Sequence, residues 1–122
     1  MKHRAAENHL KTHRKTSGLS QREMGELLGY KDTGQVSRHE RAKSVPPLAN
    51  AIAYEVIFRV PVTTIFVGMH GNIKRVIDNK LHQLEVELGN SSARGREANL
   101  VAQKLVWLNE RRRLESEPPP LA

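Results

Sequence analysis

The sequence predicts an all-α fold in which five short helices are followed by a C-terminal hairpin of two longer helices. Its apolar residues recur mainly at three- and four-residue intervals, as on one face of a helix, and runs typical of strands are rare. Only five of the 122 residues are aromatic although 38% are hydrophobic, so the core is expected to be aliphatic. The length suits one small domain with an appendage.

Capping signals delimit the first two helices. The first is predicted at residues 6–16 and ends before Gly18, because glycine readily takes the left-handed conformation that closes a helix. The second begins at Ser20, since Ser20 and Glu23 have the spacing of a capping box, in which each side chain accepts the other residue's backbone N–H. Gly29 is expected to end this helix.

The third helix is predicted to have a buried side and a polar outer face. It is expected to start at Asp32 or Thr33, since Asp32 and Gln35 also have capping-box spacing, and to run to about residue 41. Val36 is its one strongly apolar residue, and when Val36 faces the core, His39 follows on the same side. The outer face then holds small, polar and basic residues: Gly34, Ser37, Arg38 and Arg41.

Four further helices are predicted from apolar residues at helical spacing, and they occupy residues 48–58, 61–66, 73–88 and about 100–114. A break is expected at 68–72 and a turn at 89–95, where glycines cluster. The chain is therefore divided into three segments: a domain at 1–67, a helical hairpin at 72–116, and a disordered or extended tail at 117–122.

The charge of the chain favours a polyanionic partner. The net charge is +7 and the isoelectric point is about 10.1, a balance typical of proteins that bind nucleic acid or an anionic membrane surface. Residues 1–48 carry ten Lys or Arg against five Asp or Glu, a net charge of +5, whereas residues 49–122 carry ten against eight, a net charge of +2. The polyanion-binding surface is therefore expected in the N-terminal part.

Two absences narrow the function classes. The chain has no cysteine, which excludes disulfides, thiolate zinc sites and thiol nucleophiles. Its N-terminal segment lacks an apolar stretch, so we expect neither a signal peptide nor a membrane anchor, and a cytoplasmic protein.

Residues 10–66 resemble the helix-turn-helix domain of Cro and lambda repressor, the XRE family of bacterial and phage regulators. The residues that carry the resemblance are Leu19, Ser20 and Gln21 at the start of the second helix, Gly25 where the two helices cross, Gly29 at the turn, Val36 in the third helix, and residues 37–41 after it. The resemblance implies a five-helix lambda-repressor-like DNA-binding domain. It also implies that the protein is a transcriptional regulator associated with the nucleoid, and a repressor rather than an activator.

The outer face of the third helix is suited to the DNA major groove. Small side chains there leave room for base edges, and Arg38 can donate two hydrogen bonds to guanine O6 and N7. The predicted base-reading residues are Thr33, Gly34, Gln35, Ser37 and Arg38.

Phosphate contacts are expected around the same helix. The backbone amides at the start of the second helix can point at a phosphate, and the resemblance implies the same role for the side chain of Gln21. The predicted phosphate-binding residues are Ser20, Gln21, Lys31, Arg41 and Lys43. The resemblance also implies a structural ion pair between Arg14 and Glu40, partly buried, that fixes the third helix to the scaffold.

The sequence departs from the family pattern at several positions. Six residues rather than the usual five separate Gly29 from the valine of the third helix. His39 stands where an apolar residue is usual, and Ala42 and Arg59 stand where glycine is common. Asp32 places a carboxylate near the expected phosphates. We interpret it either as a helix cap or as a group that disfavours binding to incorrect DNA sites.

Other chemistries are less well supported. His3, His9 and His13 lie close together, but no carboxylate or thiolate completes a metal site, so we assign no metal or cofactor. Glu55 is interpreted as an interface acid or as one paired with an arginine rather than as a catalytic acid, so we predict no enzyme. The arginines at 111–113 are interpreted as a solvated helix end rather than as a second nucleic-acid patch.

The hairpin suggests a protein partner. One helix-turn-helix unit reads about half a turn of duplex and gains affinity when a two-fold partner reads the next half-site, so a homodimer is expected. The alternative is an antitoxin-like protein whose hairpin binds a partner protein and whose first domain regulates its own operon. RNA binding is less favoured, because the basic surface lacks aromatic residues for base stacking.

Overall fold

The computed structural model describes residues 7–116, and every regular element in that range is an α-helix. The helices are α1 (Leu10–Thr16), α2 (Gln21–Leu28), α3 (Gly34–Glu40), α4 (Leu48–Phe58), α5 (Val62–Ile65), α6 (Val67–Gly89) and α7 (Arg96–Ser116). The predicted all-α class is therefore confirmed. The tail predicted at 117–122 and the predicted helix start at Ala6 lie outside the described residues.

The chain separates into two compact units, Met1–Lys74 and Arg75–Ala122. In the first unit each of α1 to α5 contributes to one apolar core. The buried members are Leu10, Met24, Val36, Tyr54, Ile65 and Phe66. These positions recur at helical intervals within their segments, and burying them is the main stabilising term for so small a unit.

The second helix has the ends that its sequence predicts. The N–H of Glu23 donates to Ser20 Oγ at 3.0 Å, and the N–H of Ser20 donates to Glu23 Oε1 at 2.9 Å. Gly29 ends the helix at a φ of 87°, which only glycine takes without strain. Gly25 is buried against the turn that follows, and a Cβ there would lie 3.1 Å from the backbone oxygen of Asp32. The small residue therefore allows α2 and α3 to approach closely.

The predicted start of α1 is wrong for the residues that precede Leu10. Residues 7–9 are not helical, because the N–H of His9 donates to the backbone oxygen of Ile65 at 2.8 Å. Asn8 Oδ1 instead accepts the N–H of Leu10 at 3.1 Å.

Thr33, one of the two predicted starts of α3, is the N-cap of that helix, but the predicted capping box of Asp32 and Gln35 is wrong. The helix begins at Gly34, and the carboxylate of Asp32 accepts the N–H of Gly34 at 2.9 Å rather than forming a capping box with Gln35. Gly34 is nearer to Asp32 along the sequence than Gln35 is, so the shorter hydrogen-bonded turn forms instead of the capping box.

The break predicted at 68–72 does not exist, because α6 continues through it. The N–H of His70 donates to the oxygen of Phe66 at 2.9 Å. Gly68 and Gly71 each cost a helix about 1 kcal/mol relative to alanine. Packing of Met69 against the core of the first unit opposes that cost. The boundary between the units consequently falls inside a helix, at residues 74 and 75.

The second unit leaves much of its apolar surface exposed. Among its described residues, Leu108 of α7 is the one buried apolar side chain, whereas Val106 and Trp107 are exposed. Arg112 pairs with Glu85, and the guanidinium of Arg111 lies 5.7 Å from the centre of the Trp107 ring. Within residues 7–116, no helix has the length and hydrophobicity needed to cross a bilayer.

Between residues 7 and 116, two residues other than glycine have left-handed backbone, Ala42 at a φ of 57° and Arg59 at a φ of 58°. A side chain there costs about 1–2 kcal/mol, and glycine avoids that cost at an entropic loss of about 0.5–1 kcal/mol. We therefore expect Ala42→Gly and Arg59→Gly each to raise the free energy of unfolding by ~0.5–1 kcal/mol in urea titrations. Ala53→Gly, in the middle of α4, is the control and should lower it.

Candidate nucleic-acid interface

The two sides of α3 have opposite environments. Val36 and His39 are 0% and 1% exposed, and they hold the helix against the core. Arg38 and Thr33 are exposed, and Gly34, Gln35 and Ser37 are half-buried. All five predicted base-reading residues thus lie at or next to the outer face of one short helix.

The guanidinium of Arg38 lies over the start of α3. A Cβ on Gly34 would be 3.3 Å from Arg38 Nη2 and 3.2 Å from Asp32 Oδ1. The absence of a side chain at Gly34 therefore lets the cation and the carboxylate approach the same point. The carboxylate of Asp32 is also held by the N–H of Gly34, which fixes its position beside Arg38.

Arg14 and Glu40 join α1 to the end of α3. Arg14 Nε donates to Glu40 Oε2 at 2.5 Å, and Arg14 Nη2 donates to Glu40 Oε1 at 3.1 Å. Arg14 Nη1 donates to the backbone oxygen of Leu19 at 2.9 Å, so the guanidinium also fixes the approach to α2. The hydrogen bond to Glu40 raises the pKa of Arg14, which keeps this buried group charged.

Gln21 takes part in the same network. Its Nε2 donates to Glu40 Oε1 at 3.1 Å, so the amide expected at a phosphate contacts a carboxylate of the scaffold. The second amide hydrogen and the amide oxygen remain available, and the residue is half-buried. Gln21 is therefore placed to link the start of α2 to the end of α3.

The other four predicted phosphate-binding residues are exposed. They are Ser20, Lys31, Arg41 and Lys43. Lys31 precedes α3 and Arg41 caps its end, so cations stand at both ends of the helix. Arg41 Nε donates weakly to the backbone oxygen of Ser37 at 3.4 Å, which leaves most of its donors free.

A buried histidine anchors the inner side of α3. The His39 Nδ1 atom lies 2.9 Å from the hydroxyl of Tyr54, and the two rings meet edge to face. Asn8 Nδ2 donates to the backbone oxygen of His39 at 2.9 Å. Burial lowers the pKa of His39, and the positive charge of Arg38 lowers it further. Burial also raises the pKa of Tyr54, which keeps its hydroxyl protonated.

The lowered pKa of His39 predicts that the protein loses stability in mild acid. Well above pH 6.5 the histidine is neutral in both the folded and the unfolded state, so protonation of His39 takes no free energy of unfolding away. As the pH falls below that value the unfolded chain binds the proton first, and stability drops by at most about 1.4 kcal/mol per pH unit. Urea titrations at pH 7.5 and 5.5 measure the loss, and His39→Leu should reduce the difference between the two pH values. An equal difference in that variant would place the titration elsewhere.

Sequence reasoning missed three contributors to this anchor. Asn8 and Tyr54 each form a hydrogen bond with His39, and the ring of Tyr30 contacts the ring of His39. Asn50 of α4 also donates to the hydroxyl of Tyr30. The one signal in the sequence was the polar His39 at a position that is usually apolar, since such a residue needs a buried partner. Its partner in α4 lies 15 residues away and could not be identified from spacing.

Two further features are the possible metal ligands and the acidic residue Glu55. Among residues 7–116, no three His, Asp or Glu side chains group closely enough to hold a metal ion. Glu55, expected to be an interface acid or one paired with an arginine, accepts the N–H of Val62 at 2.8 Å and so caps α5.

No protein-family model, curated protein or solved structure matches the chain.

Proposed function

We propose that this chain is a sequence-specific regulator of transcription, a repressor that inserts α3 into the major groove of double-stranded DNA. The observation that carries the proposal is the division of α3 into a buried side, held by Val36 and His39, and an outer side with an exposed Arg38. A helix so anchored has no core contact left for its outer side to make.

The dimensions and shape of α3 support insertion. An α-helix with its side chains is about 10–12 Å in diameter, and less where the side chains are small. The groove is about 12 Å wide and admits a helix whose outward side chains are small enough to reach base edges. Gly34 and Ser37 meet that need, and Arg38 supplies the bidentate donor that guanine accepts. The fold that we propose for the first unit is the lambda-repressor-like arrangement of five helices.

Rigidity of α3 supports specific rather than general binding. The Arg14–Glu40 pair ties the end of the helix to α1, and Gln21 ties it to α2. Because these contacts fix the orientation of α3 before DNA arrives, less conformational entropy is lost when Arg38 meets a base. The exposed cations at 31, 41 and 43 would hold the backbone phosphates and set the register.

The second unit supports a homodimer. A two-helix hairpin with one buried apolar side chain in its described part leaves apolar surface that a second copy can cover. A dimer would place two α3 helices on successive half-sites about 34 Å apart.

The test is selection from random duplex DNA by the full-length protein. We expect one enriched motif with two inverted half-sites, centred about 10 base pairs apart, and affinity that falls steeply with salt. An enriched pool with no shared motif, or retention of duplex DNA no better than that of a size-matched acidic polymer, would overturn the proposal.

A second function is favoured by the exposed side chains of α7. Val106 and Trp107 are both exposed, and Leu100, Gln103, Lys104 and Trp107 line an open groove on that helix. An antitoxin-like protein would use this groove for a partner protein and its first unit for its own operator. Trp107→Ala separates the two cases, since loss of dimer with the substitution supports the homodimer and an unchanged dimer favours the foreign partner.

A further inference from the structure

An exposed carboxylate lies among cations at the start of α3. Residues 31–43 contain two acids, Asp32 and Glu40. Glu40 is paired with Arg14 and its side chain is 4% exposed, whereas Asp32 is exposed. A negative charge on a surface that binds DNA repels the phosphates, so it lowers the affinity unless it makes a favourable contact of its own. The hydrogen-bond donors that DNA offers are on its bases and not on its phosphates.

The carboxylate of Asp32 is held in a fixed position. Its Oδ1 atom accepts the N–H of Gly34 at 2.9 Å. The backbone oxygen of Asp32 lies 3.1 Å from the point that a Cβ on Gly25 would occupy, so the turn before α3 is packed against α2. An ionised carboxylate can accept about four hydrogen bonds, and the one to Gly34 leaves the others for a ligand. Asp32 is therefore an acceptor whose placement costs little entropy on binding.

The separation of Asp32 from Arg38 corresponds to the spacing of base pairs. Asp32 Oδ1 and Arg38 Nη2 are 3.2 Å and 3.3 Å from the Cβ position of Gly34, so they are at most about two base-pair steps of 3.4 Å apart. No ion pair joins the two residues within the described part of the chain, so the carboxylate and the guanidinium are both available to other groups. Side by side on the outer side of α3, they can therefore meet different base pairs.

The chemistry of a carboxylate selects one base. When ionised it only accepts hydrogen bonds. In the major groove guanine and thymine present acceptors, and adenine presents a donor with the acceptor N7 beside it, whereas cytosine presents the N4 donor alone. A carboxylate is therefore attracted to cytosine and repelled by guanine and thymine. The guanidinium of Arg38 has the opposite preference, since it donates to guanine O6 and N7.

We propose that Asp32 determines specificity: its carboxylate accepts the groove-side N4 hydrogen of a cytosine one or two base pairs from the guanine that Arg38 contacts. The inference rests on the proposed insertion of α3 into the major groove, and it adds a second base to each half-site. It differs from a role as a helix cap, which any acceptor for the N–H of Gly34 fulfils. It also differs from simple repulsion of phosphates, which favours no base.

Selection from random duplex DNA by the native protein and by Asp32→Asn tests the proposal. Asparagine keeps an oxygen that can accept the N–H of Gly34, so the start of α3 should be retained. We expect the native motif to contain the cytosine, and Asp32→Asn to lower the preference for it about tenfold while the guanine preference remains. Glu26→Gln removes one exposed charge from α2 and should leave both base preferences unchanged.

Modified DNA gives a second measurement that needs only the native protein. In N4-methylcytosine a methyl group replaces the groove-side N4 hydrogen, while the pairing hydrogen is kept. A selected duplex with this base at the predicted position should bind about tenfold more weakly than the unmodified duplex. The control is 5-methylcytosine at the same position, which adds a methyl group but keeps the N4 hydrogen, and it should weaken binding less. Asp32→Asn should not distinguish N4-methylcytosine from cytosine.

The outcomes separate this inference from the proposed function. A native motif whose guanine is lost with Arg38→Ala, but which Asp32→Asn leaves unchanged at every position, would overturn the role of Asp32 and leave DNA binding intact. Loss of the guanine and cytosine preferences together in Asp32→Asn would show that Asp32 only holds α3 in place, which also overturns the inference. A native pool with no motif would overturn the proposed function, and the role of Asp32 with it.

Discussion

Glu40→Ala is expected to lower the free energy of unfolding by ~3–5 kcal/mol, because it leaves the buried guanidinium of Arg14 without its counter-charge. The side chains of Arg14 and Glu40 are 10% and 4% exposed. Glu40 also accepts a hydrogen bond from Gln21, which would lose its partner. A small domain is stable by about 5–15 kcal/mol, so the variant should be partly unfolded near 37 °C.

Urea titrations followed by circular dichroism measure this loss, and the chain provides a matched control. Glu110 pairs with Arg113 on α7, where both side chains are about half exposed to solvent. Glu110→Ala should therefore leave the unfolding midpoint unchanged. The double variant Arg14→Met, Glu40→Leu should be more stable than Glu40→Ala alone, since it removes the stranded charge. A double variant no more stable than the single one would show that packing, not charge, governs this site.

The parts of the fold that depend on neighbouring residues could be predicted from the sequence. The capping box of Ser20 and Glu23 and the glycine that ends α2 need only a few residues of context. Val36 faces inward as its helical position predicts. The pairing of Arg14 with Glu40 came from the family resemblance and not from spacing, since 26 residues separate the two.

The parts of the fold that depend on tertiary contacts, or on a choice between two hydrogen-bond partners at similar spacing, could not be predicted. Asp32 had two amides within reach, and spacing alone could not show that it would bind Gly34. Glycines at 68 and 71 indicated a break, but packing of Met69 against the core outweighs their local preference. The positive φ of Ala42 and Arg59 was not predicted, although both stand where glycine is common in the family that residues 10–66 resemble; the arginine indicated a different end to α4, whereas Arg59 closes the helix in the left-handed conformation typical of glycine.

The candidate site shows the same division. The outward position of Arg38 and Thr33 follows from one helix and its buried valine. The contact of Gln21 with Glu40 instead depends on how α2 and α3 cross, which the longer turn between them made uncertain from sequence. Residues that touch the solvent are thus easier to predict than the partners of half-buried polar groups.

Arg38→Ala is expected to weaken binding to the selected DNA by ~1–3 kcal/mol per half-site and to relax preference at one base pair in each. The guanidinium is exposed and lies within 3.3 Å of the Cβ position of Gly34, so its removal disturbs no core contact. Two half-sites in a dimer double the effect to about 2–6 kcal/mol. Stability should be unchanged, which separates this variant from Glu40→Ala.

Arg41→Ala is the matched comparison, because it removes the same side chain three residues further along, at the end of the same helix. As a phosphate contact, Arg41 should contribute equally to every sequence, so its loss should leave the selected motif intact and lower the salt dependence by about one counterion per copy. Selection from random DNA with both variants therefore distinguishes base reading from charge attraction. Because the two arginines differ chiefly in position, a uniform loss of affinity for Arg38→Ala would mean that α3 lies along the backbone and not in the groove.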